Sequence, residues 1–405
     1  MSQTMLSGVT VLELGQVIAG TFGGVILADL GAEVIKIEPP RGDTARNPGI
    51  APYQSESAIH LFMNRGKKSV VLDLKTEEGL DLFYRLVAGA DVVIDNFRPG
   101  VMERLGIDHD ALLATNPDII TVSVTGFGEY GPARDRPAFD LVVQAYSGHM
   151  DITGASDGPP ARVGVPLGDI SGGLYSCIAV LAGLAARGLG NSGVHADVAM
   201  LDAMVSMLSY DALDHLNTGV EVQRQGTAHA HMVPWQAFAT SDGHVVIAAR
   251  DEKFWRNLCD LIDRPDLKDD VRTRDNRSRV ENREFVVGVL SDAMASRSTA
   301  EWVEALEAAD IPAAPVNDLA GVFTDPQVEA RDMIGTYEHA TVGDVKYPPS
   351  PIKLSEWQYP NEPAPMLGQH TSTVLADRLG LEPADIEDLI DRGIAATWPA
   401  REEPT

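Results

Sequence analysis

Hydrophobic residues in the first part of the chain follow two spacing patterns in turn, one typical of strands and one typical of helices. Residues 9–14 and 33–38 are short apolar or alternating runs typical of strands, and residues 18–30 carry apolar side chains at helical spacing. Gly31 ends the helical stretch, so these segments predict a strand, a helix and a second strand with short connections.

The same alternation continues to residue 124. Further strands are predicted at 69–74, 91–96 and 119–124, and a helix at 76–87 opens with Thr76, a residue type that caps helix N-termini. This order predicts a Rossmann-like α/β domain, with a mostly parallel sheet covered by helices on both faces. Ligands of such sheets bind beyond the carboxyl ends of the strands. The segments leaving those ends are 15–19, 38–43, 73–75 and 96–100.

The second part of the chain predicts a smaller α+β arrangement. Its elements are a strand at 194–198, a helix at 200–210, a hairpin of 235–240 and 244–249, and amphipathic helices at 252–262, 282–295 and 299–309. Proline-containing segments at 311–315 and 347–351 predict stiff linkers, and residues 368–392 predict a tail ending in short helices.

These patterns divide the chain into four predicted parts. They are a large domain at 1–200, a linker helix at 201–225, a small domain at 226–325, and a linker with a C-terminal segment at 326–405 that returns to the large domain.

Composition limits the partners of this chain. Its 405 residues are 44% hydrophobic and 22% charged, as in globular proteins. A net charge of −27 repels nucleic acid and anionic membranes, so a polyanionic ligand needs a locally basic pocket. Cys177 and Cys259 show no metal or disulfide spacing and are expected to be reduced. No targeting segment or apolar stretch approaching a membrane span is recognised, so a cytoplasmic protein is expected.

Two glycine motifs resemble nucleotide sites but lack essential parts. Residues 15–20 have P-loop glycine spacing, yet Thr21 and Phe22 stand where lysine and a hydroxyl residue are required. Residues 126–131 fit the dinucleotide fingerprint, but Pro132 and Pro137 prevent a helix from opening there. An NAD-dependent oxidoreductase is therefore disfavoured.

One carboxylate lies where a glycine-containing loop meets a long apolar helix. Asp169 follows Gly168, and the apolar run after it continues to about Arg187. The free N–H groups and positive dipole of a first helical turn favour an ionised carboxylate there. These residues leave two interpretations open: Asp169 is a helix N-cap, or it takes part in chemistry.

Basic residues occur at the ends of the predicted strands. They are Arg41, Arg65, Lys67, Lys68, Lys75, Arg98 and Arg104. Their position suits an anionic ligand, although a scatter of solvated surface charges explains the same residues.

Motifs in order along the chain resemble the class III CoA-transferase family. They are Asn64 to Lys75, Asp95 to Gly100 followed by Arg104, Val124 to Gly128 followed by Gly131 and Pro132, Leu167 to Gly173, and Gly368 to Thr371. The resemblance covers essentially the whole chain. It implies a Rossmann-like large domain with a parallel sheet, a smaller domain inserted late in the chain, and an interlocked homodimer.

The nucleophile of the family's transferases is the aspartate matched by Asp169. The resemblance implies an acyl-CoA and a free carboxylic acid as partners, with CoA thioester as substrate and no cofactor consumed. A carboxylate attacking the thioester forms a mixed anhydride, which CoA thiolate converts into an aspartyl-CoA thioester. Gly172 and Gly173 would let backbone N–H groups approach the carbonyl oxygen.

The resemblance also implies a set of CoA contacts. They are Val17, Ala19, Leu72, Lys75, Asn96, Phe97, Arg98 and Arg104, and Arg41, after Pro39 and Pro40, stands close to where the family often has a basic residue.

The 2-methylacyl-CoA racemases are the nearest alternative within the fold. They move a proton with a histidine directly before the acidic residue matched here by Asp140, and Phe139 occupies the histidine position. One of the two bases is then missing, which favours acyl transfer. Formyl-CoA:oxalate-type transferases are a second alternative, but their glycine-rich lid is absent here.

The pair His229 and His231 has no accompanying third metal ligand, so no metal site is expected. Either histidine could bind the far carboxylate of a diacid, or the pair could serve a turn. The resulting expectation is a CoA-transferase for short dicarboxylates such as succinate, malate, citramalate or mesaconate.

Overall fold

The computed structural model describes residues 4–355 and 359–398. The strands are β1 Thr10–Glu13, β2 Glu33–Glu38, β3 Pro52–Tyr53, β4 Glu56–Ser57, β5 Lys68–Leu72, β6 Val92–Asp95, β7 Ile120–Thr125, β8 Val194–Ala199, β9 Trp235–Ala239, β10 His244–Ala248, β11 Ala313–Pro315, β12 Gly335–His339, β13 Gly343–Tyr347 and β14 Ala395–Ala396.

The α-helices connect these strands. They are α1 Ala19–Asp29, α2 Ala58–Met63, α3 Glu77–Val87, α4 Val101–Leu105, α5 His109–Thr115, α6 Asp140–Tyr146, α7 His149–Ile152, α8 Leu167–Gly188, α9 Met200–Met207, α10 Ser209–Thr218, α11 Glu252–Leu261, α12 Asn276–Glu281, α13 Arg283–Met294, α14 Thr299–Ala308, α15 Leu319–Val322, α16 Pro326–Ala330, α17 Thr371–Leu379 and α18 Pro383–Asp391.

A seven-stranded sheet with the order β14-β5-β2-β1-β6-β7-β8 forms the large part of the molecule. Every neighbouring pair is parallel except β14 and β5. The predicted α/β class with a mainly parallel sheet is confirmed. The predicted strands and helices of residues 9–124 recur with ends shifted by one or two residues.

Helices cover both faces of this sheet because both faces are apolar. Successive residues of β1 point to opposite sides, so Val11 packs in one buried cluster and Leu12 in the other. Thr76 caps α3 as predicted, since its side-chain oxygen accepts the Gly79 N–H at 3.1 Å.

Helices α1 and α8 approach each other so closely that only glycine fits at their contact. A Cβ atom on Gly23 would lie 2.1 Å from Ser176 Oγ, and one on Gly173 would lie 2.7 Å from Phe22 Cβ. The two helices therefore fix the start of α8 against the turn that precedes α1.

The 22-residue helix α8 corrects the expectation that no stretch approaches a membrane span, because its length and hydropathy suffice for one. Cys177 and Val180 on this helix are buried in the cluster that packs beneath the sheet. Of its apolar 18-residue stretch, 39% is buried inside the structure, so one face of the helix packs in the core.

Contacts divide the chain into two compact units, of which the second consists of residues 150–161 and 221–331. Its three-stranded antiparallel sheet has the order β11-β10-β9, and helices α11, α13 and α14 pack their apolar faces around the buried Trp255 and Trp302. The segment 311–315 was predicted as a linker, but residues 313–315 pair with β10 as an edge strand, a place where proline is tolerated.

The predicted helix at 200–210 is two helices, α9 and α10. Ser209 has a left-handed φ of 54°, which separates them. Both helices belong to the first unit, which comprises residues 1–149, 162–220 and 332–405.

Candidate active site

A cavity of about 610 Å³ lies in the first unit at the carboxyl ends of the parallel strands. Its walls are the segments that follow β1, β2, β5, β6 and β7, where the topology of a parallel sheet places ligands. The volume falls in the ordinary range for small-molecule sites.

Most of the residues that the family resemblance implies for CoA binding line this cavity. They are Val17, Ala19, Arg41, Leu72, Lys75, Asn96, Phe97 and Arg98, and Asp169 lines it as well. Arg104 does not line it, because this residue lies exposed near the end of the short helix α4. Its predicted contact with a phosphate stays a prediction.

Two further cationic side chains, which sequence reasoning missed, line the cavity. Arg134 and Arg136 belong to the proline-rich loop after β7. The rule that ligands bind beyond strand ends applies to β7 as well, and its use there would have found both residues.

The three basic residues before or at the start of β5 have other partners. Arg65 pairs with Asp29 at 2.5 Å, Lys67 with Glu13 at 2.7 Å, and Lys68 with Glu33 at 2.5 Å. None of the three lines the cavity. For these residues, the expectation of a cationic cluster for an anionic ligand was wrong, since they begin the strand instead of following it.

Asn96 joins the end of β6 to the turn after β1. Its side-chain oxygen accepts the Gln16 N–H at 2.8 Å, and its amide nitrogen donates to the Gln16 carbonyl at 2.9 Å. This bidentate contact fixes one wall of the cavity from inside the fold.

Asp169 is the third residue of α8 and faces the cavity. The interpretation of Asp169 as N-cap is wrong, because the cap position is Pro166 and the capping carboxylate comes from Asp140. Asp140 accepts the Gly168 N–H at 2.8 Å with one oxygen and the Gln144 amide at 2.8 Å with the other.

Within residues 4–355 and 359–398, the Asp169 carboxylate makes no hydrogen bond and no ion pair. Burial, and then the neighbouring Asp140 carboxylate, raise its pKa from 3.8 to about 7. The helix N-terminus was expected to favour an ionised Asp169, whereas burial and the like charge of Asp140 favour the protonated form. With this pKa, Asp169 is partly a carboxylic acid and partly a carboxylate near neutral pH.

The glycines after Asp169 have packing roles. Gly173 contacts α1, and a Cβ atom on Gly172 would lie 3.1 Å from Met200 Cγ. Their N–H groups lie beyond the first four of the helix, which alone lack intrahelical acceptors. The predicted role of these N–H groups as donors to a carbonyl oxygen stays a prediction.

The two histidines belong to the second unit. The ring nitrogen Nδ1 of His229 accepts the His231 N–H at 3.0 Å, and Arg283 donates to the carbonyl oxygens of His229 and Ala230. These contacts support a role of the pair in a turn. Among the residues that the structure describes, no cluster of three or more His, Cys, Asp or Glu side chains could hold a metal ion.

Comparison of the sequence with known proteins identifies relatives that act on CoA thioesters. The model of the family "CoA-transferase family III" matches residues 6–371. The succinyl-CoA:glutarate CoA-transferase of Homo sapiens is 36% identical over 391 residues, which cover 96% of this chain and 89% of that protein. The acetyl-CoA:oxalate CoA-transferase of Acetobacter aceti is 38% identical over 358 residues, which cover 88% and 90%.

A solved structure extends the likeness to three dimensions. The crystal structure of a CAIB/BAIF family protein from Brucella suis superposes with a TM-score of 0.83 at 36% identity, covering 93% of this chain and 100% of that one. With the family match spanning most of the sequence, the chain belongs to CoA-transferase family III.

Proposed function

We propose that this protein transfers CoA between short dicarboxylic acids, with Asp169 as the nucleophile. The main support for this proposal is the position of the Asp169 carboxylate in the wall of a cavity that cationic side chains also line. The relatives' names add succinyl-CoA, glutarate and oxalate as the kind of substrate that close sequences use.

The cavity has the chemistry that a CoA thioester requires. Arg41, Lys75, Arg98, Arg134 and Arg136 supply positive charge for the phosphates of CoA in a chain whose net charge is −27. Apolar residues such as Leu72 and Phe97 lie between the cations and suit the pantetheine arm.

The reaction conserves the thioester bond through two anhydrides. An Asp169 oxygen bonds to the acyl carbon of the donor thioester, and the C–S bond breaks to release CoA thiolate. The thiolate attacks the aspartyl carbonyl, which frees the donor acid and leaves an aspartyl-CoA thioester. The acceptor carboxylate attacks that thioester and expels CoA thiolate, which gives the second mixed anhydride. The thiolate then attacks the acceptor carbonyl, so that the acceptor leaves as acyl-CoA and the Asp169 carboxylate is restored.

The same site disfavours the racemase alternative. Phe139 lines the cavity where that chemistry needs a histidine, and its side chain cannot carry a proton. A racemase would interconvert the epimers of one acyl-CoA without any free acid.

The proposal includes a homodimer in the cytoplasm, with interlocked subunits. Apolar side chains on α8 and α10 support association, since Ile178 is 56% exposed, Leu213 66% and Leu216 80%. Exposed apolar surface of this extent commonly marks a protein contact.

A panel of acids tests the substrate class. The enzyme is incubated with succinyl-CoA and, separately, with glutarate, oxalate, malate, citramalate or mesaconate, and new CoA thioesters are separated by liquid chromatography. Transfer to at least one diacid, with propionate as the monoacid control, supports the proposal. Epimerisation of a 2-methylacyl-CoA without transfer contradicts it.

Trapping tests the nucleophile. Hydroxylamine or borohydride added to enzyme and succinyl-CoA should modify residue 169 in the native chain and leave Asp169→Asn unmodified, as seen by peptide mass spectrometry. Modification at another carboxylate, or full activity of Asp169→Asn, would contradict the assignment.

A further inference from the structure

The turn after β1 holds a residue in an unfavourable backbone conformation. Val17 has a left-handed φ of 61°, a region that β-branched residues rarely adopt. It lies in the wall of the cavity between Gly15 and Ala19. A conformation of this kind persists only where the surrounding structure enforces it.

A buried carboxylate holds this residue. Both oxygens of Asp43 lie 3.2 Å from the Val17 nitrogen and accept its N–H, and one of them accepts the Ala45 N–H at 2.8 Å. On the other side of the residue, the Thr21 hydroxyl donates to the Val17 carbonyl at 2.7 Å. The Val17 peptide groups are thus bound from two elements outside the turn.

Asp43 is itself held by a chain of alternating charges. Lys36 lies 3.0 Å from Asp43 and 3.3 Å from Glu13, and Glu13 lies 2.7 Å from Lys67. All four side chains are at most 1% exposed. The Lys36 ammonium also donates to the Gly15 carbonyl at 2.5 Å, so the chain contacts the turn at both Gly15 and Val17.

A buried ion chain of this kind contributes little to stability, because desolvation offsets the attraction between the charges. The orientation that this ion chain gives to Asp43 explains its presence better than stability does. Burial lowers the pKa of Lys36, but Asp43, Glu13 and Glu38 outweigh burial and raise it, so Lys36 is an ammonium at neutral pH. Asp43 therefore has a permanent positive partner and stays oriented towards the turn.

We propose that Asp43, oriented by Lys36, is a positioning residue that holds Val17 in its left-handed conformation and thereby shapes the wall along which acyl-CoA binds. This inference rests on the proposed function. Release of Val17 to an ordinary conformation would move the turn that Asn96 clamps at Gln16. The cavity wall would then change even though Asp43 transfers no group.

A double-mutant cycle tests this coupling. Glycine adopts a left-handed φ without penalty, so in Val17→Gly residue 17 no longer needs Asp43 to hold its conformation. We expect Asp43→Asn to weaken binding of coenzyme A, measured by calorimetry, about tenfold in the native background and less than about threefold beside Val17→Gly. Equal losses in both backgrounds would overturn the inference.

A matched control uses another buried ion pair of the same unit. Asp29 pairs with Arg65 away from the turn, so Asp29→Asn should leave coenzyme A affinity unchanged. An equal loss in this variant would show a general effect of removing a buried charge and would overturn the inference.

Hydrogen exchange of residues 15–19 without ligand separates this inference from the proposed function. Asp43→Asn should speed exchange there at least about tenfold and Asp29→Asn should not. If the native chain binds no coenzyme A, the proposed function fails while the exchange result still decides the coupling. If Asp43→Asn does not fold, recovery of folding by Val17→Gly supports the coupling, and an unfolded double variant overturns it.

Discussion

Replacement of Asp169 by asparagine should abolish transfer and, at alkaline pH, stabilise the fold. The pKa of Asp169 is raised by burial and by Asp140, so the folded chain binds this proton more tightly than the unfolded chain does. Stability is therefore lost as pH rises from the unfolded pKa of 3.8 to the folded value of about 7, and the loss is complete above that range. Asparagine carries no charge, so the variant does not undergo this loss of stability.

The magnitude follows from the shift. A rise from 3.8 to about 7 corresponds to about 4 kcal/mol at pH 8, and the partial contact of Asp169 with solvent reduces the expectation to roughly 2 to 4 kcal/mol. At pH 4 the folded state is protonated and the unfolded state is only partly ionised, so most of this stability remains and the two proteins should differ by less than about 1 kcal/mol.

Urea unfolding of both proteins at pH 4, 6 and 8 measures this difference. Asp270→Asn provides a control of opposite sign, because hydrogen bonds from Arg272 lower the pKa of Asp270 to about 2. That variant should lose stability at pH 8. An Asp169→Asn protein no more stable than the native chain at pH 8 would refute the raised pKa and the buried, unpartnered state of the carboxylate.

Two further predictions address neighbours of this site, and a third addresses the proposed dimer contact. Asp140→Asn removes the like charge beside Asp169, so the rise of the transfer rate with pH should move to lower pH, as read from pH–rate profiles; an unchanged midpoint would contradict the coupling. Arg136→Ala should weaken coenzyme A binding about tenfold and reduce its salt dependence, whereas the exposed Arg250→Ala in the second unit should have no effect. Leu216→Asp should dissociate the proposed homodimer in light-scattering measurements, and a dimer of native affinity would place the interface elsewhere.

The sheet was predictable from sequence because both of its faces are buried. Val11 and Leu12 lie in apolar runs that only a two-sided parallel sheet can bury, and the predicted strands match within two residues. The two-residue strand β14 was not predictable, since Ala395 and Ala396 carry no strand signal and pair only because the tail reaches β5.

The candidate site was predictable where strand ends supply it and unpredictable where distant segments meet. Lys75 and Arg98 follow strands, and both that position and the family resemblance indicated them. The cap that Asp140 gives to the helix of Asp169 joins residues 28 positions apart, and local sequence cannot show it. The raised pKa of Asp169 depends on burial and then on the charge of Asp140, neither of which local sequence shows.

The tail that carries β14 has a consequence for biosynthesis. Gly368 N–H donates to Ser69 Oγ at 2.8 Å, and Val71 N–H donates to Thr371 Oγ1 at 3.0 Å, so the last part of the chain fastens the outer side of β5. A ribosome makes this segment after the other six strands of the sheet. During translation the sheet therefore has an open edge at β5, which can bind chaperones or aggregate until β14 has been made.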